Sequence, residues 1–285
     1  MRKYIIGKLF KKLGYDIRRI KSAKNKDLEL YQIYPKIILK EKQFYNIGAG
    51  KFKHPYWTTI DYISTYYKDN PVPDININLL SCSELPIKDN SAWIVYTSHV
   101  LEHLTNKAVQ NILNESYRIL DFSGILRIVV PDADLSFNAL INNDRHFFHW
   151  ETSKNERRCL NTSFTEASII QLFIYDIASN VSIIHGDGAK ERITDEVFMN
   201  LFYQYGSEWL FDYCSKSCDL KKQRKYPGNH INWFNENKLR KMLTKAGFKN
   251  IYRSGFQQSR EPVLRNTYYF DTAHHKSSLY MEAVK

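Results

Sequence analysis

Four short apolar runs, each closed by a turn, do most to fix what this chain can become. Gln43 to Ile47, Trp57 to Asp61, Asp74 to Leu79 and Ala92 to Thr97 each read as a strand. The period then changes. Ala108, Val109, Ile112, Leu113, Ser116 and Leu120 recur at helical spacing, with Thr105 or Asn106 placed to cap the start. Asp121 to Gly124 breaks that helix, and Ile125 to Val130 returns to strand until Pro131. Strands alternating with a helix in this way predict an α/β fold with a mostly parallel sheet covered on both faces.

From about residue 132 to 230 the rhythm is different. Two long helical patterns, near Glu166 to Ile177 and near Asp195 to Cys218, are rich in Phe, Tyr, Leu and Ile, with a turn at His185 to Gly188 between them. This stretch reads as a helical insertion capping one edge of the sheet. Beyond it, Asn235 to Ala246 is an amphipathic helix stopped by Gly247, and "FKNIYRSGF" and "SLYMEAV" read as an antiparallel closing hairpin.

The net charge of +11 invites a nucleic-acid reading, but its placement argues against one. Residues 1–26 hold ten Lys and Arg against the single acid Asp16, so the remaining chain carries only +2. In that basic segment Ile5, Ile6, Leu9, Phe10, Leu13, Ile17 and Ile20 share one helical face and Lys8, Lys11, Lys12, Arg18 and Arg19 the other. Such a helix either packs on its own protein or lies on an anionic membrane or a partner. The division expected is a basic N-terminal segment, 1–40, followed by one α/β domain, 41–285. No apolar run reaches the roughly 20 residues of a membrane span, and no secretory signal is evident. Four cysteines make no disulfide framework, and Cys214 and Cys218 lack a second pair for zinc. His146, His149, His274 and His275 form no metal-like frame, so no metal is expected and the setting is read as cytoplasmic.

Open parallel sheets bind ligands beyond the carboxyl ends of their strands. The loops due there are Gly48-Ala49-Gly50, Asp61, Asn78 to Ser83, and Thr97 to Leu104. Glycines allow close backbone approach and free amides that suit a carboxylate or phosphate. Asp61 is placed to accept hydrogen bonds from a ribose diol. The turn continues as Lys51-Phe52-Lys53, with no third glycine and little room for a helix, so it is no dinucleotide fingerprint.

With "NIGAG", "TTIDY", "LPIKDNSAWIVYTSHVLEHL", "ESYRILDFSGILRIVVPD" and "LRKMLTKAGF" in this order, the chain resembles the class I S-adenosylmethionine (SAM) dependent methyltransferases. The resemblance covers about residues 43–132 and 230–285. More narrowly, it is similar to a short-turn subgroup associated with bacterial surface polysaccharide genes. The resemblance implies a Rossmann-like methyltransferase sheet and S-adenosyl-L-methionine as cofactor. Gly48, Ala49 and Gly50 would line its methionine and ribose part, and Asp61 its ribose hydroxyls. Adenine would meet Asn78 or Ser81, where relatives carry an acid. Ser98 and His99 would sit beside the sulfonium, and Glu102 and His103 would begin the following helix.

A hydroxyl acceptor must lose a proton, and histidine suits that task. His99 is the first candidate base, with Asp132 and His230 as alternatives. Each has a structural reading as well: His99 as part of the cofactor loop, Asp132 as a helix cap, His230 as the anchor of a turn. Trp150, Trp209, Tyr213, Tyr226 and Trp233 either stack on a sugar ring or pack the helical core. Arg260, Glu261 and Arg265 either hold an anionic acceptor or form a solvated loop. The function expected is O-methylation of a sugar or glycan precursor of a surface polysaccharide, with a carbohydrate or nucleotide-sugar acceptor and peripheral membrane contact through residues 1–26. The alternatives are another small molecule, a glycan-linked phosphate-type group, or a catalytically silent binding protein.

Overall fold

The computed structural model describes residues 23–149, 166–184 and 191–285. The basic face at residues 1–20, Trp150 and the turn at residues 185–188 lie outside these residues. The chain forms two compact units, Met1–Pro35 and Lys36–Lys285. In the first, helix α1 (Ala23–Tyr31) ends beside Tyr34, whose ring lies 6.3 Å from that of Tyr31. No helix among the described residues is long and apolar enough to cross a membrane.

The second unit begins with a short helix α2 (Lys36–Lys40) and is organised by a seven-stranded sheet. Its strands are β1 (Phe44–Ile47), β2 (Trp57–Asp61), β3 (Ile75–Asn76), β4 (Ala92–Ser98), β5 (Leu120–Pro131), β6 (Asn250–Arg253) and β7 (Ser278–Val284). They lie in the order β3-β2-β1-β4-β5-β7-β6. The pairs among β1 to β5 are parallel, and β7 runs antiparallel to both β5 and β6. This is the Rossmann-like sheet of a class I methyltransferase, with the expected closing hairpin.

Side-chain parity explains the two layers. Leu126, Ile128 and Val130 of β5 and Leu279, Met281 and Ala283 of β7 face one core. Helix α3 (Asn106–Ile119) supplies Val109, Ile112 and Leu113 to that core, and helix α9 (Glu236–Ala246) supplies Leu239 and Leu243. On the other parity stand Arg127, Tyr280 and Glu282. They meet the connection between β6 and β7, where Phe270 packs 4.9 Å from Trp57 and 5.1 Å from Tyr96. A second core joins α4 (Ala133–Ile141), α5 (Ile169–Ile177), α6 (Asp195–Tyr205) and α7 (Ser207–Lys216), followed by the short α8 (Leu220–Lys225). Its centre is aromatic: the Phe211 ring lies 5.0 Å from Phe173 and 5.3 Å from Phe137.

Three elements differ from the sequence expectation. The run from Asp74 to Leu79 holds only the two residues of β3. The Asp74 carboxylate accepts from Thr59 N and Oγ1, taking the ladder donor that a longer strand would use, and Asn78 already caps a 3-10 turn. Residues 121–124 do not separate helix from strand. They enter β5 through a register irregularity opposite Ala92 and a left-handed Ser123, φ 69°. Gly206, φ 80°, splits the Asp195 to Cys218 pattern into α6 and α7.

Candidate active site

The glycine turn is held from both sides. Gly48 N and Ala49 N donate to Ile60 O, at 2.8 and 3.3 Å, folding the end of β1 back on β2. Gly48 has φ 71° and Gly50 φ 54°, a region costly for residues with a Cβ. A Cβ on Gly48 would stand 2.1 Å from Val100 Cγ2, so packing against the loop after β4 also demands glycine. A Cβ on Gly50 would meet nothing within 4 Å, so this side of the turn is open.

Asp61 ties the turn to the end of β2. Gly50 N donates to its Oδ2 and Tyr62 N to its Oδ1, each at 2.7 Å. Every carboxylate oxygen has two acceptor sites, so each keeps one for a ligand. The short link between β1 and β2 packs Phe52 edge-on to Trp57 at 5.8 Å and to Tyr269 at 6.1 Å. Aromatic rings thus cover the face of β2 where a helix would otherwise lie. A cleft of about 360 Å³ runs along this link, bordered by Gly50, His54, Trp57, Asp61 and Asp74.

The third loop is engaged locally. Asn78 Oδ1 accepts from Leu80 N at 3.0 Å, and Ser81 Oγ donates to Asn78 O at 2.6 Å. Both side chains are exposed.

After β4 the chain turns sharply. Ser98 ends the strand, and His99 takes φ 53° while its N donates to Val129 O at 2.9 Å. His99 Nδ1 lies 3.1 Å from Glu102 Oε1, and Nε2 lies 2.9 Å from Ser278 Oγ. Glu102 is 1% exposed, and its Oε2 has no hydrogen-bond partner. Burial pushes its carboxyl up, but the imidazoles of His103, His99 and His230 more than offset that and hold it at about 2. Burial pushes the His103 imidazole down.

The His103 and His230 rings lie 5.1 Å apart. His103 Nδ1 meets Asn229 O at 3.1 Å, and His230 Nδ1 meets Asp176 O. Glu102 O accepts from Ile231 N and Asn232 N, which joins the turn after β4 to the chain returning from the helices. Two of the expected base candidates, His99 and His230, therefore converge on Glu102, a residue that sequence reasoning had given only a helix-start role. The "HVLEH" spacing was the available signal for it.

Asp132 has another task. It caps α4 by accepting from Asp134 N and Leu135 N, and its Oδ2 pairs with Arg253 at 2.9 Å. Of the aromatics in or beside the insertion, Trp233 is buried and donates to Asp212 Oδ1 at 2.9 Å, whereas Trp209 is 43% exposed. Arg265 Nε donates to Ser259 O at 2.7 Å, and Arg260 N donates to Glu282 Oε2 at 3.0 Å, so this loop is built into the sheet. Cys214 and Cys218 are buried free thiols, both pushed up by burial.

Residues 58–128 match the family model described as a methyltransferase domain. The chain carries a methyltransferase domain. Its cofactor is S-adenosylmethionine. Similar solved structures include a SAM-dependent methyltransferase from Archaeoglobus fulgidus, 11% identical over 93% of this chain and 95% of that one, TM-score 0.38. Another, from Mesorhizobium loti, is 12% identical over 90% and 96%, TM-score 0.37. At these scores the likeness adds no weight to the strand order and the matched segment. No curated protein matches the chain.

The residues of this methyltransferase fit the cofactor. The open side of Gly50 gives backbone access, and Asp61 keeps acceptor capacity toward a diol while bonded to Gly50 N. When bound, SAM supplies an activated methyl group. The protein's part is then to bind, align and dehydrate the reacting groups.

Proposed function

We propose that the enzyme O-methylates a sugar or glycan precursor of a surface polysaccharide, with His99 as base and Glu102 as the carboxylate that orients it. The observation that carries this reading is the His99–Glu102 pair at the end of β4, packed through Val100 against Gly48 of the cofactor turn. A carboxylate on Nδ1 fixes the ring, and an acceptor hydroxyl that displaces Ser278 Oγ, 2.9 Å from Nε2, would deliver its proton there. Gly48, Ala49, Gly50 and Asp61 serve the methionine and ribose, Asn78 or Ser81 the adenine, and Ser98 borders the sulfonium.

The carbohydrate part of the reading is supported by an aromatic ladder. Trp209 stacks on Tyr205 at 4.1 Å and on Tyr213 at 5.5 Å, with Tyr205 and Trp209 exposed, a surface suited to sugar rings. A cleft of about 740 Å³ is lined by Trp233 and by Lys107, Lys238, Lys241 and Lys245 against Glu208 and Asp212, a lysine excess that suits an anionic group such as a nucleotide diphosphate. In this reading residues 1–26 hold the enzyme at the cytoplasmic face of the membrane, the helices between about 132 and 230 cap the site, and nucleic acid is not a partner.

Two experiments test the proposal. Calorimetry with SAM separates an enzyme from a silent fold, because absence of binding at millimolar SAM ends the reading. Mass spectrometry of surface glycans from a deletion strain is expected to show loss of one methyl group, restored by the wild-type gene and not by His99→Asn. An unchanged glycan rejects the acceptor class.

A further inference from the structure

We propose that Glu102, His103 and His230 bind a divalent first-row transition cation. One ligand atom from each lies within 4.8 Å of the others. Both rings are wired as metal-binding histidines are. Their Nδ1 atoms face the main-chain oxygens of Asn229 and Asp176, and a carbonyl accepts but never donates. Each Nδ1 therefore carries the proton, which leaves Nε2 as a bare lone pair in the neutral ring. His103 Nε2 lies 3.8 Å from Glu102 Oε1.

Glu102 supplies the second observation. Its Oε1 is held by His99 Nδ1, but Oε2 is buried with no donor. A bare imidazole nitrogen this close to a buried carboxylate, as His103 Nε2 is to Glu102, is costly unless a cation stands between them. Two imidazole nitrogens with one carboxylate oxygen suit zinc, manganese, iron or cobalt. Magnesium and calcium prefer all-oxygen sets. With metal–nitrogen bonds of about 2.1 Å, small side-chain adjustments bring the three atoms to a common centre. His103 and His230 are half-buried, so the cluster lies at the edge of the interior rather than deep within it. His99 and the two carbonyls then hold the ligands from behind.

Three protein ligands leave positions open for oxygen. That an acceptor hydroxyl takes one of them rests on the methyltransferase reading, whereas the metal site itself does not. A proton shared by the two imidazoles would answer the same electrostatic need without metal, and the test separates the two.

The full-length chain is stripped with chelator and incubated in turn with Zn²⁺, Mn²⁺ and Co²⁺. After desalting, the retained metal is measured, and the cobalt form is read by its visible absorption. One equivalent per chain is expected for at least one ion, with affinity at least tenfold lower in His103→Gln and in His230→Gln. SAM titration and circular dichroism on the same samples confirm that the variants fold. No retained metal, or equal retention in wild type and both variants, overturns the proposal in favour of a proton or of another location. Metal bound without SAM binding overturns the methyltransferase reading and leaves the metal site standing.

Discussion

Two clusters of buried charge on adjacent strands are wired in opposite ways. At Arg127 on β5 the protein supplies its own cation. The guanidinium, 0% exposed, pairs with the equally buried Asp271 at 2.5 Å and Glu282 at 2.9 Å. It also donates to Ser254 Oγ and Gly255 O, while Tyr252 and the Arg260 amide donate to Glu282 Oε2. At Glu102, beyond the end of β4, the neighbours are imidazoles, and one carboxylate oxygen is unmatched. The first cluster is closed and fastens the β6–β7 connection to the sheet. The second is left open, which fits a place where a proton or an ion is handled. Burial alone does not tell a structural charge from a working one; the completeness of its pairing does.

The sharpest break of this comparison is Arg127→Met. It leaves Asp271 and Glu282 buried without a cation, and removing one partner of a buried pair costs about 3–5 kcal/mol. Urea unfolding is expected to show a loss of that size. A loss under about 1 kcal/mol would mean that the network is not the fastening described here.

Glu102→Gln should do the reverse. An amide keeps the shape, its oxygen can still accept from His99 Nδ1, and it leaves no buried carboxylate charge, so stability should stay within about 1 kcal/mol of wild type. Methyl transfer should fall by roughly 10²-fold or more, because the amide neither supports an imidazolium nor binds a cation as a carboxylate does. Unfolding midpoint and turnover, measured on one preparation, test both. A large stability loss with normal turnover would exchange the roles of the two clusters.

The sequence exposed these clusters unequally. Gly48, Gly50 and Asp61 were legible because the turn, its left-handed glycines and its acid lie within one local stretch. His99, Glu102 and His103 share a single turn, so their proximity was legible too. His230 joins them from more than 120 residues away, and only the fold shows that its ring meets that of His103. Arg127 was invisible. It reads as one polar residue in the apolar run "ILRIVV", and its partner Glu282 stands opposite only because β7 pairs antiparallel with β5. Gly206 is a local break signal, but the aromatic periodicity on both sides of it suggests a single helix.

The cofactor turn gives a smaller version of the same contrast. Gly48 is closed in by protein and Gly50 is not. Gly48→Ala sets a Cβ against Val100 and is expected to destabilise by about 1–3 kcal/mol. Gly50→Ala meets no protein atom, so only the left-handed backbone opposes it, at about 1 kcal/mol. Its main effect should be weaker SAM binding. Unfolding curves and calorimetry on the pair should therefore rank in opposite orders. Equal SAM affinity for Gly50→Ala and wild type would place the cofactor elsewhere.

Lys238 lies between the two extremes and gives the finest test. Its side chain is 12% exposed, and its ammonium stands 4.2 Å from the Trp233 ring centre and 2.8 Å from Asn232 Oδ1, with Asp212 at 3.6 Å. It has one carboxylate partner, itself 39% exposed, where Arg127 has two fully buried ones. Burial is the larger influence and pulls its pKa down to about 8, with Asp212 opposing. Below pH 8 both folded and unfolded chains hold the proton, and the cost of burying it is present in full. Between about pH 8 and the ordinary 10.5 the folded chain has released a proton that the unfolded chain still binds, so stability rises with pH across that window. The expected gain from this residue is about 3 kcal/mol. Urea midpoints from pH 7.5 to 10.5 should rise more steeply in wild type than in Lys238→Met. Parallel profiles would mean that Asp212 completes the pairing after all, and would move Lys238 into the class of closed charges with Arg127.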